Sequence, residues 1–352
     1  MQYSFLGCSG LRVSRISVGS VTFGDNPEGI GGVTVNAVRD IVDRLLDSGV
    51  NLMDTADAYS GGLAEEILGD AIKGRRDRLL LATKVRFPTG DGPNDAGLSR
   101  LHIINSCDTS LRRLGTDHID LYQLHGWDGQ APLEETLSTL DVLVQQGKVR
   151  YIGCSNYSAW HLMKALSVSD RLGLCRFISH QIYYSLIGRD AEYELVPAGL
   201  DQGVGTLVWS PLAGGLLSGK YRRGAEWPLG ARHSGDWHEP PVSNWEFVYD
   251  VIDVVCEVAA TRGATPAQVA LAYLMSKPSV SSVIVGVRKP GQLEDNLAAV
   301  DLTLSTDEID KLDSASALPL LYPYWHQRRL VRDRMSSADA SLLAQRHWSG
   351  AT

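Results

Sequence analysis

Four side chains that can carry a proton or polarise an oxygen stand at marked places in the sequence: Asp54, Tyr59, Lys84 and His125. The aspartate, the lysine and the histidine each follow an apolar run, and the tyrosine comes five positions after the aspartate. A phenol has an unperturbed pKa of about 10, and a nearby ammonium lowers that pKa. The set therefore indicates a proton-transfer site. Lys84 would acidify Tyr59, Asp54 would hold Lys84, and His125 would polarise the oxygen that receives the proton.

Each of these residues also has an ordinary structural explanation. Asp54 could form a turn, and Asp57 is a near rival for the carboxylate role. Lys84 could be a solvated charge at a strand end, His125 a hydrogen-bonded histidine over the core, and Tyr59 part of the packing at a rim. Their shared position after successive apolar runs favours the functional interpretation, because the C-terminal ends of parallel barrel strands converge on one face.

Strand-like apolar runs alternate along the chain with amphipathic helical patterns. The runs begin near residues 17, 50, 79, 119, 149, 177, 206 and 282, and the helical patterns cover 34–48, 62–73, 99–114, 132–146, 158–170 and 190–202. A strand, a helix and a strand within about 30 residues form the βαβ unit. Eight such strands predict an α/β fold, a closed (β/α)8 TIM barrel. The alternative is a doubly wound open sheet, which would carry G-x-G-x-x-G after its first strand, and residues 18–24 lack that pattern.

The segments outside this repeat have their own predicted structures. Residues 1–14 predict a hairpin, and residues 220–244 predict a long loop after the seventh strand that opens on the catalytic face. Further helices are expected near 244–262, 291–299 and 306–315, and another begins after Thr265, which has capping-box spacing to Gln268. Ser305 and Glu308 have the same spacing. We expect one barrel over 1–317 and a C-terminal extension, 318–352, that packs on the barrel or joins an interface.

The composition limits the classes of function. The chain has 352 residues, of which 44% are hydrophobic and 21% charged, and its net charge is −8. These values are typical of a soluble globular protein and give no nucleic-acid footprint. No apolar run approaches membrane length, and the first residues lack a signal-peptide pattern. The five cysteines are scattered and form no C-x-x-C pair, which indicates reduced thiols in the cytoplasm; no metal site is expected.

The ordered set of motifs resembles the aldo-keto reductase family. The family's tetrad of Asp, Tyr, Lys and His matches Asp54, Tyr59, Lys84 and His125, and the similarity covers roughly residues 10–315. Further matching motifs are Ser155-Asn156, Gln181, Trp209-Ser210-Pro211-Leu212 and Gly286-Val287-Arg288-Lys289-Pro290. The resemblance implies an NADPH-dependent, reversible reduction of an aldehyde or ketone to an alcohol, with Tyr59 as general acid and base. It also implies that the N-terminal hairpin plugs the bottom of the barrel.

The resemblance implies a binding site for NADP(H) along the strand ends. Near the nicotinamide it implies a stacking face from Trp209, where the family more often has a tyrosine, and a grip on the carboxamide from Ser155, Asn156 and Gln181. The other implied cofactor-binding residues are Gly19, Ser20, Val21, Asp54, Ser210, Pro211, Leu212, Gly214, Gly286, Arg288, Gln292 and Asn296.

The segment after the last strand favours NADP(H) over NAD(H). A helix N-terminus offers free N–H groups to a phosphate, and Arg288 offers a planar fork for a 2′-phosphate. Some relatives place a lysine where Gly286 stands and an arginine where Gln292 stands, and this chain has neither. Arg288, alone or together with Lys289, is therefore expected to bind the phosphate.

These motifs leave the substrate and the biological role open. We expect loops after the strands to build the substrate pocket. Its candidate residues are Phe23, Tyr59, His125, Trp127, Tyr184, Trp227 and Trp237. An aromatic wall suits sugars, steroids, aryl aldehydes and polycyclic ketones equally.

Two other functions are compatible with the same barrel. One is a regulatory NADPH-binding subunit that acts on a protein partner, as the channel β-subunits of the superfamily do. The other is an isomerase or dehydratase, for which the nicotinamide contacts would have no purpose. A small-molecule carbonyl or alcohol is the expected partner, with no nucleic acid and no membrane, and a homo-oligomer is compatible with the sequence.

Overall fold

A hairpin and a closed parallel barrel account for the strands of this chain. The computed structural model describes residues 1–24, 32–227, 232–234, 239–288, 290–330, 333–345 and 347. Its strands are β1 (Tyr3–Phe5), β2 (Arg12–Ser14), β3 (Ile16–Gly19), β4 (Leu52–Asp54), β5 (Leu80–Val85), β6 (Ile119–Leu124), β7 (Val149–Ser155), β8 (Ser179–Tyr183), β9 (Gly205–Trp209) and β10 (Val280–Gly286). β1 and β2 pair antiparallel, and the other eight close a barrel in the order β10-β3-β4-β5-β6-β7-β8-β9. The predicted TIM barrel and N-terminal hairpin are confirmed.

Helices connect the barrel strands and continue beyond them. They are α1 (Val35–Ser48), α2 (Leu63–Ala71), α3 (Arg100–Leu114), α4 (Leu133–Gln145), α5 (Ala159–Leu172), α6 (Leu195–Gln202), α7 (Trp245–Arg262), α8 (Pro266–Met275), α9 (Pro290–Ala298), α10 (Thr306–Ala315), α11 (Tyr324–Leu330) and α12 (Ser337–Leu343). Both predicted capping boxes are present, at Thr265 and at Ser305. In the described parts of the chain, none of these helices combines the length and hydropathy of a membrane-spanning segment.

The first helix shows why the amphipathic patterns fold as they do. Val38, Ile41, Val42 and Leu45 of α1 are buried and follow each other at intervals of three, one and three residues. At 3.6 residues per turn this spacing places them on one face. Burying a side chain of this size contributes about 1.5–3 kcal/mol, so the face fixes the helix against the barrel.

The hairpin closes the N-terminal end of the barrel. Leu6 and Val13 are fully buried and pack with Leu52 and Leu121, which belong to barrel strands. The chain turns at Gly7, where φ is +60° and a Cβ atom would lie 2.4 Å from the Gly203 carbonyl oxygen. Only glycine fits this turn, because the hairpin backbone touches the barrel backbone there.

Strand register brings the polar strand ends to the opposite edge. Asp54 is the last residue of β4. Lys84 of β5 is paired with Gln123 of β6, and Ser155 of β7 with Gln181 of β8. These five residues therefore share the C-terminal face of one barrel.

The connection between β9 and β10 contains the predicted long loop and an additional helix. After β9 the chain forms two short 3-10 segments, Ala213–Ser218 and Arg232–Ser234. Helix α7 then begins at the Asn244 side chain, which accepts a hydrogen bond of 3.2 Å from the Phe247 N–H. The described part of this connection starts at the C-terminal end of β9, on the face that carries the polar strand ends.

The end of the chain packs on the outside of the barrel helices. α12 contacts α6, and Leu342 and Leu343 are buried in a small cluster with Tyr193. Gln345 donates a hydrogen bond of 2.5 Å to Glu192, which is itself paired with Arg189. The division of the chain into units 1–317 and 318–352 stays a prediction.

Candidate active site

Lys84 lies at the centre of a buried polar cluster at the C-terminal edge of the barrel. Its side chain is fully buried. The ammonium donates hydrogen bonds to the Asp54 carboxylate, to the Thr55 carbonyl oxygen at 2.9 Å and to the Tyr59 hydroxyl oxygen at 3.2 Å. Because the ammonium binds the phenol oxygen as a donor, the phenol proton is left for another acceptor.

Two amide side chains hold the carboxylate that faces Lys84. Asp54 Oδ2 accepts hydrogen bonds from Gln181 Nε2 at 2.9 Å and from Gln123 Nε2 at 3.2 Å. A buried ion pair needs such additional donors, since desolvation alone can exceed the attraction of the two charges. Gln123 was not among the residues predicted from the sequence. Its signal is the two-residue alternation of a strand, which places Gln123 on the same face as His125.

Burial and charge act on Tyr59 and Lys84 in opposite directions. Burial is the largest influence on Tyr59; it outweighs the Lys84 charge and raises the pKa of the phenol above 10.0. Burial lowers the pKa of Lys84, but the charge of Asp54 and the hydrogen bonds to Asp54 and Tyr59 outweigh it and leave that pKa above 10.5. At neutral pH the phenol is therefore protonated and the lysine charged. Lys84 acidifies Tyr59 in the expected direction, whereas the opposing burial is visible only in the structure.

His125 is a neutral imidazole beside the phenol. Burial is the main reason that the pKa of His125 lies well below 6.5, and the charges of Lys84 and Arg86 add to the shift. The ring centroids of His125 and Tyr59 are 5.6 Å apart, and those of His125 and Phe87 are 4.5 Å apart. A neutral imidazole carries one N–H, so it can donate a hydrogen bond to a substrate oxygen without giving up its proton.

A cavity of about 900 Å³ opens over this cluster. Tyr59 and His125 line it, while Lys84 is buried beneath them. Most of the predicted cofactor-binding residues also line it: Gly19, Val21, Asp54, Ser155, Asn156, Gln181, Trp209, Ser210, Pro211, Leu212, Gly214, Gly286, Arg288, Gln292 and Asn296. Ser20 is buried beside the cavity, where its backbone N–H donates to the Asp54 carbonyl oxygen at 2.8 Å.

Asn156 connects the indole of Trp209 to the histidine. Trp209 Nε1 donates to Asn156 Oδ1 at 2.9 Å, and Asn156 Nδ2 donates to the His125 carbonyl oxygen at 3.1 Å. Asn156 has φ at +55°, a left-handed conformation that asparagine adopts more readily than most residues. The Tyr183 ring lies 5.1 Å from the Trp209 ring. The orientation of the indole is therefore fixed by the protein itself.

Three cations converge on the wall of the cavity that β10 and the long loop form: Lys220, Arg232 and Arg288. Burial lowers the pKa of Lys220, and the charges of Arg288 and Arg232 lower it further. Burial and the charge of Arg288 likewise lower the pKa of Arg232. The three residues line the same cavity, and their charges repel one another. The sequence analysis found Arg288 but neither of the other two, whose only signal was their place in the loop after the seventh strand.

The aromatic residues expected around the substrate are placed differently. Among the described residues, the cavity wall does not include Phe23, Trp127, Trp227 or Tyr184. Each is held elsewhere by neighbouring side chains: Phe23 is fully buried in the core, Trp127 stacks on His161 at 3.9 Å, Trp227 packs on Trp245 at 4.9 Å, and Tyr184 is hydrogen-bonded to Glu192. Trp237 and Lys289 lie outside the described residues.

Other residues, which were not predicted from the sequence, complete the cavity wall around Tyr59 and His125. Phe87 lines it beside His125, and Ala58, Ser60 and Gly61 line it beside Tyr59. Ser60 is fixed by a hydrogen bond of 2.8 Å from its hydroxyl to the Phe23 carbonyl oxygen. Within the described part of the chain, no group of three or more His, Cys, Asp or Glu residues is arranged to hold a metal ion.

Comparison with known proteins assigns the chain to a family. The model of the aldo/keto reductase family matches residues 15–317. The chain belongs to the aldo/keto reductase family. A probable voltage-gated potassium channel subunit beta of Arabidopsis thaliana is 38% identical over 323 residues, which are 89% of this chain and 96% of that protein. An uncharacterised oxidoreductase of Bacillus subtilis is 37% identical over 89% of this chain and 95% of its own length.

A relative with a named reaction is also similar over almost its whole length. The versiconal hemiacetal acetate reductase of Aspergillus parasiticus is 34% identical over 354 aligned positions, which cover 92% of this chain and 99% of that protein. Membership of the aldo/keto reductase family, together with the oxidoreductases among its relatives, supports an oxidoreductase that acts on a small-molecule carbonyl.

Proposed function

We propose that this protein is an NADP(H)-dependent oxidoreductase that reversibly reduces an aldehyde or a ketone to an alcohol, with Tyr59 as general acid and base. The observation that carries the proposal is the 3.2 Å hydrogen bond from the Lys84 ammonium to the Tyr59 hydroxyl, at the base of a cavity that His125 also lines. This hydrogen bond would stabilise the phenolate form of Tyr59, and it leaves the phenol proton free to face the cavity.

The contacts of the four residues support a distinct role for each in this reaction. A bound nicotinamide nucleotide supplies the hydride when it is reduced. His125 donates a hydrogen bond to the carbonyl oxygen and orients it, as an oxyanion donor does. Tyr59 transfers its proton to that oxygen, and the Lys84 ammonium stabilises the phenolate that remains. Asp54 keeps Lys84 charged and aimed. In the reverse direction the phenolate of Tyr59 accepts the alcohol proton.

The cavity wall fits a pyridine nucleotide at both ends. Near the tetrad, the Ser155 hydroxyl is buried and has no hydrogen-bond partner among the described residues, which suits a carboxamide group. The Trp209 indole offers a flat face that the protein has already oriented. At the other end, the cluster of Lys220, Arg232 and Arg288 suits phosphate groups, because an anion offsets the repulsion between cations.

These features favour NADP(H) over NAD(H). The additional phosphate of NADP(H) carries charge that only a cationic wall can balance, and Arg288 is the sequence-predicted part of that wall. The backbone N–H of Arg288 donates to Gln292 Oε1 at 3.0 Å, which fixes the turn from β10 into α9. The two cations from the long loop strengthen the case that the sequence made with Arg288 alone.

Oxidation of bound NADPH by simple carbonyls tests the proposal. Stopped-flow mixing of the protein–NADPH complex with a panel of aldehydes and ketones should show oxidation of the bound nucleotide in a single turnover. Binding of NADPH without oxidation by any member of a panel that spans aryl, alkyl and polycyclic carbonyls would refute catalysis.

A regulatory role is the second candidate. The observation that favours it is the similarity, over 89% of this chain, to relatives named as probable potassium channel subunits. In that case the protein would bind NADPH and act on a protein partner, and the same stopped-flow experiment would show binding alone.

A cytoplasmic location is also proposed, supported by five free cysteines that suit a reducing compartment.

A further inference from the structure

Arg86 stands next to the candidate active site in an unfavourable backbone conformation. It follows β5 directly, two residues after Lys84, and its φ is +149°, which L-residues rarely adopt. Two backbone hydrogen bonds hold the chain there. The backbone N–H of His125 donates to the Val85 carbonyl oxygen at 2.9 Å, and that of Gly97 donates to the Arg86 carbonyl oxygen at 2.9 Å. Such strain is concentrated at functional sites, so the position of the Arg86 side chain is informative.

Arg86 does not itself line the cavity, but its guanidinium contacts Phe87, which does. Arg86 Nε donates to the Trp127 carbonyl oxygen at 3.2 Å. Arg86 Cδ would lie 3.7 Å from a Cβ atom placed on Gly126. The guanidinium carbon is 5.1 Å from the centroid of the Phe87 ring, which lines the cavity and is 4.5 Å from the His125 ring. One aromatic ring therefore separates this cation from the imidazole that orients the carbonyl.

The terminal nitrogens of the Arg86 guanidinium have no hydrogen-bonding partner in the described part of the chain. No carboxylate there lies within 4.0 Å of the Arg86 guanidinium. The acid in the neighbouring loop, Asp128, attracts Arg86 from beyond 4.0 Å, and its oxygens accept hydrogen bonds from the backbone N–H of Leu98 at 2.7 Å and from that of Gln130 at 2.8 Å. By contrast, the half-buried Arg113 is paired with Glu65 at 3.2 Å.

We propose that Arg86 selects carbonyl substrates that carry a carboxylate, or another compact anionic group, several atoms beyond the carbonyl carbon. The proposal rests on the proposed carbonyl reduction at the same cavity. A guanidinium fork matches a carboxylate in a bidentate manner. The Phe87 ring between Arg86 and His125 gives the middle of the site an apolar character. The substrate class is therefore an aldehyde or ketone with an apolar, preferably aromatic, spacer and an anionic end.

A matched pair of substrates tests this selection. 4-Formylbenzoate and its methyl ester have the same spacer and differ by one negative charge. For each protein the ratio of kcat/KM, carboxylate over ester, is measured with NADPH in excess. The difference in intrinsic reactivity between the two aldehydes cancels when the ratio of a variant is divided by that of the wild type.

Arg86→Gln should lower this ratio at least tenfold, and Arg86→Lys, which keeps the charge but not the fork, should lower it less. Arg150→Gln is the matched control. It removes the same charge from the start of β7, at the opposite end of the barrel, where Arg150 Nη1 donates to the Gly147 carbonyl oxygen at 2.9 Å. Its ratio should equal that of the wild type, because surface charges at that distance are screened.

The outcomes separate this inference from the proposed function. A wild type that binds NADPH but reduces neither aldehyde contradicts the proposed function. If the wild type reduces the ester but the ratio changes less than threefold in Arg86→Gln, only the role of Arg86 is overturned. The same holds if Arg150→Gln changes the ratio as much as Arg86→Gln does.

Inhibition of the unmodified protein tests the same selection without any variant. Benzoate should inhibit reduction of the ester at least tenfold more strongly than benzamide, and added salt should reduce the difference. Equal inhibition by the two would overturn the selection for an anionic group.

Discussion

Replacing Asp54 tests the ion pair that holds the candidate tetrad together. The Asp54 side chain is 4% exposed and that of Lys84 is 0% exposed, so neither charge is solvated. Asp54→Asn keeps the shape of the side chain, leaves the Lys84 ammonium without a counter-ion and sets an amide NH2 group against the amide donors of Gln123 and Gln181. Removing one partner of a buried pair typically costs about 3–5 kcal/mol. We expect the free energy of unfolding at pH 7 to fall by that amount.

The double variant Asp54→Asn with Lys84→Met decides whether the unpaired charge is the cause. Replacing a whole buried pair by neutral residues is often nearly neutral, so the double variant should regain at least about 2 kcal/mol over Asp54→Asn. Urea unfolding followed by circular dichroism measures the three proteins. Asp70→Asn, which removes the partner of the exposed Arg39 and Lys73, is the control and should cost less than about 1 kcal/mol. Equal stability of Asp54→Asn and the wild type, or strictly additive losses, would refute the reasoning.

Three further outcomes are expected. Arg288→Gln should raise the Kd of NADPH at least tenfold and change that of NADH less than twofold, because only NADPH carries the 2′-phosphate; equal changes in a fluorescence titration would contradict the cofactor assignment. Burial first, and then Glu65, raise the pKa of Asp57 from 3.8 to about 7. The folded state therefore holds this proton more tightly than the unfolded state, and the wild type loses stability as pH rises from about 4 to about 7. Asp57→Asn should be equally stable below this window and more stable above it, by up to roughly 4 kcal/mol; a pH-independent difference in urea unfolding would contradict this. Since the pKa of His125 lies well below 6.5, kcat/KM should show no histidine ionisation between pH 6 and 8. A step there that disappears in His125→Gln would show that the imidazole is not neutral.

The barrel and the meeting of its candidate catalytic residues were open to prediction because both depend on local periodicity. Apolar runs at βαβ spacing predict parallel strands, and the missing G-x-G-x-x-G motif favours a closed barrel over an open sheet. A polar residue that ends such a run is then expected on the C-terminal face. Asp54, Lys84 and His125 were therefore brought together as expected. Gln123 follows from the same alternation, but a glutamine in an apolar strand indicates a buried hydrogen bond without naming its partner.

The remaining parts of the candidate site depend on contacts that the sequence does not specify. Lys220 and Arg232 belong to a loop without periodicity, and the path of that loop decides which of its cations face the cavity. Trp127 and Trp227 have the residue type of a pocket wall, yet they are covered by His161 and Trp245. The pKa of Tyr59 likewise depends on burial, which outweighs the charge of the neighbouring lysine.

Single-turnover reduction by Tyr59→Phe is the most direct test of the central claim. The variant loses only the hydroxyl that accepts the hydrogen bond from Lys84, so NADPH should bind with nearly unchanged Kd. General acid catalysis typically contributes a factor of about 10²–10⁴, and we predict that the rate of oxidation of bound NADPH by an aldehyde falls by a factor of that order. A rate within threefold of the wild type, with NADPH bound, would show that Tyr59 does not supply the proton.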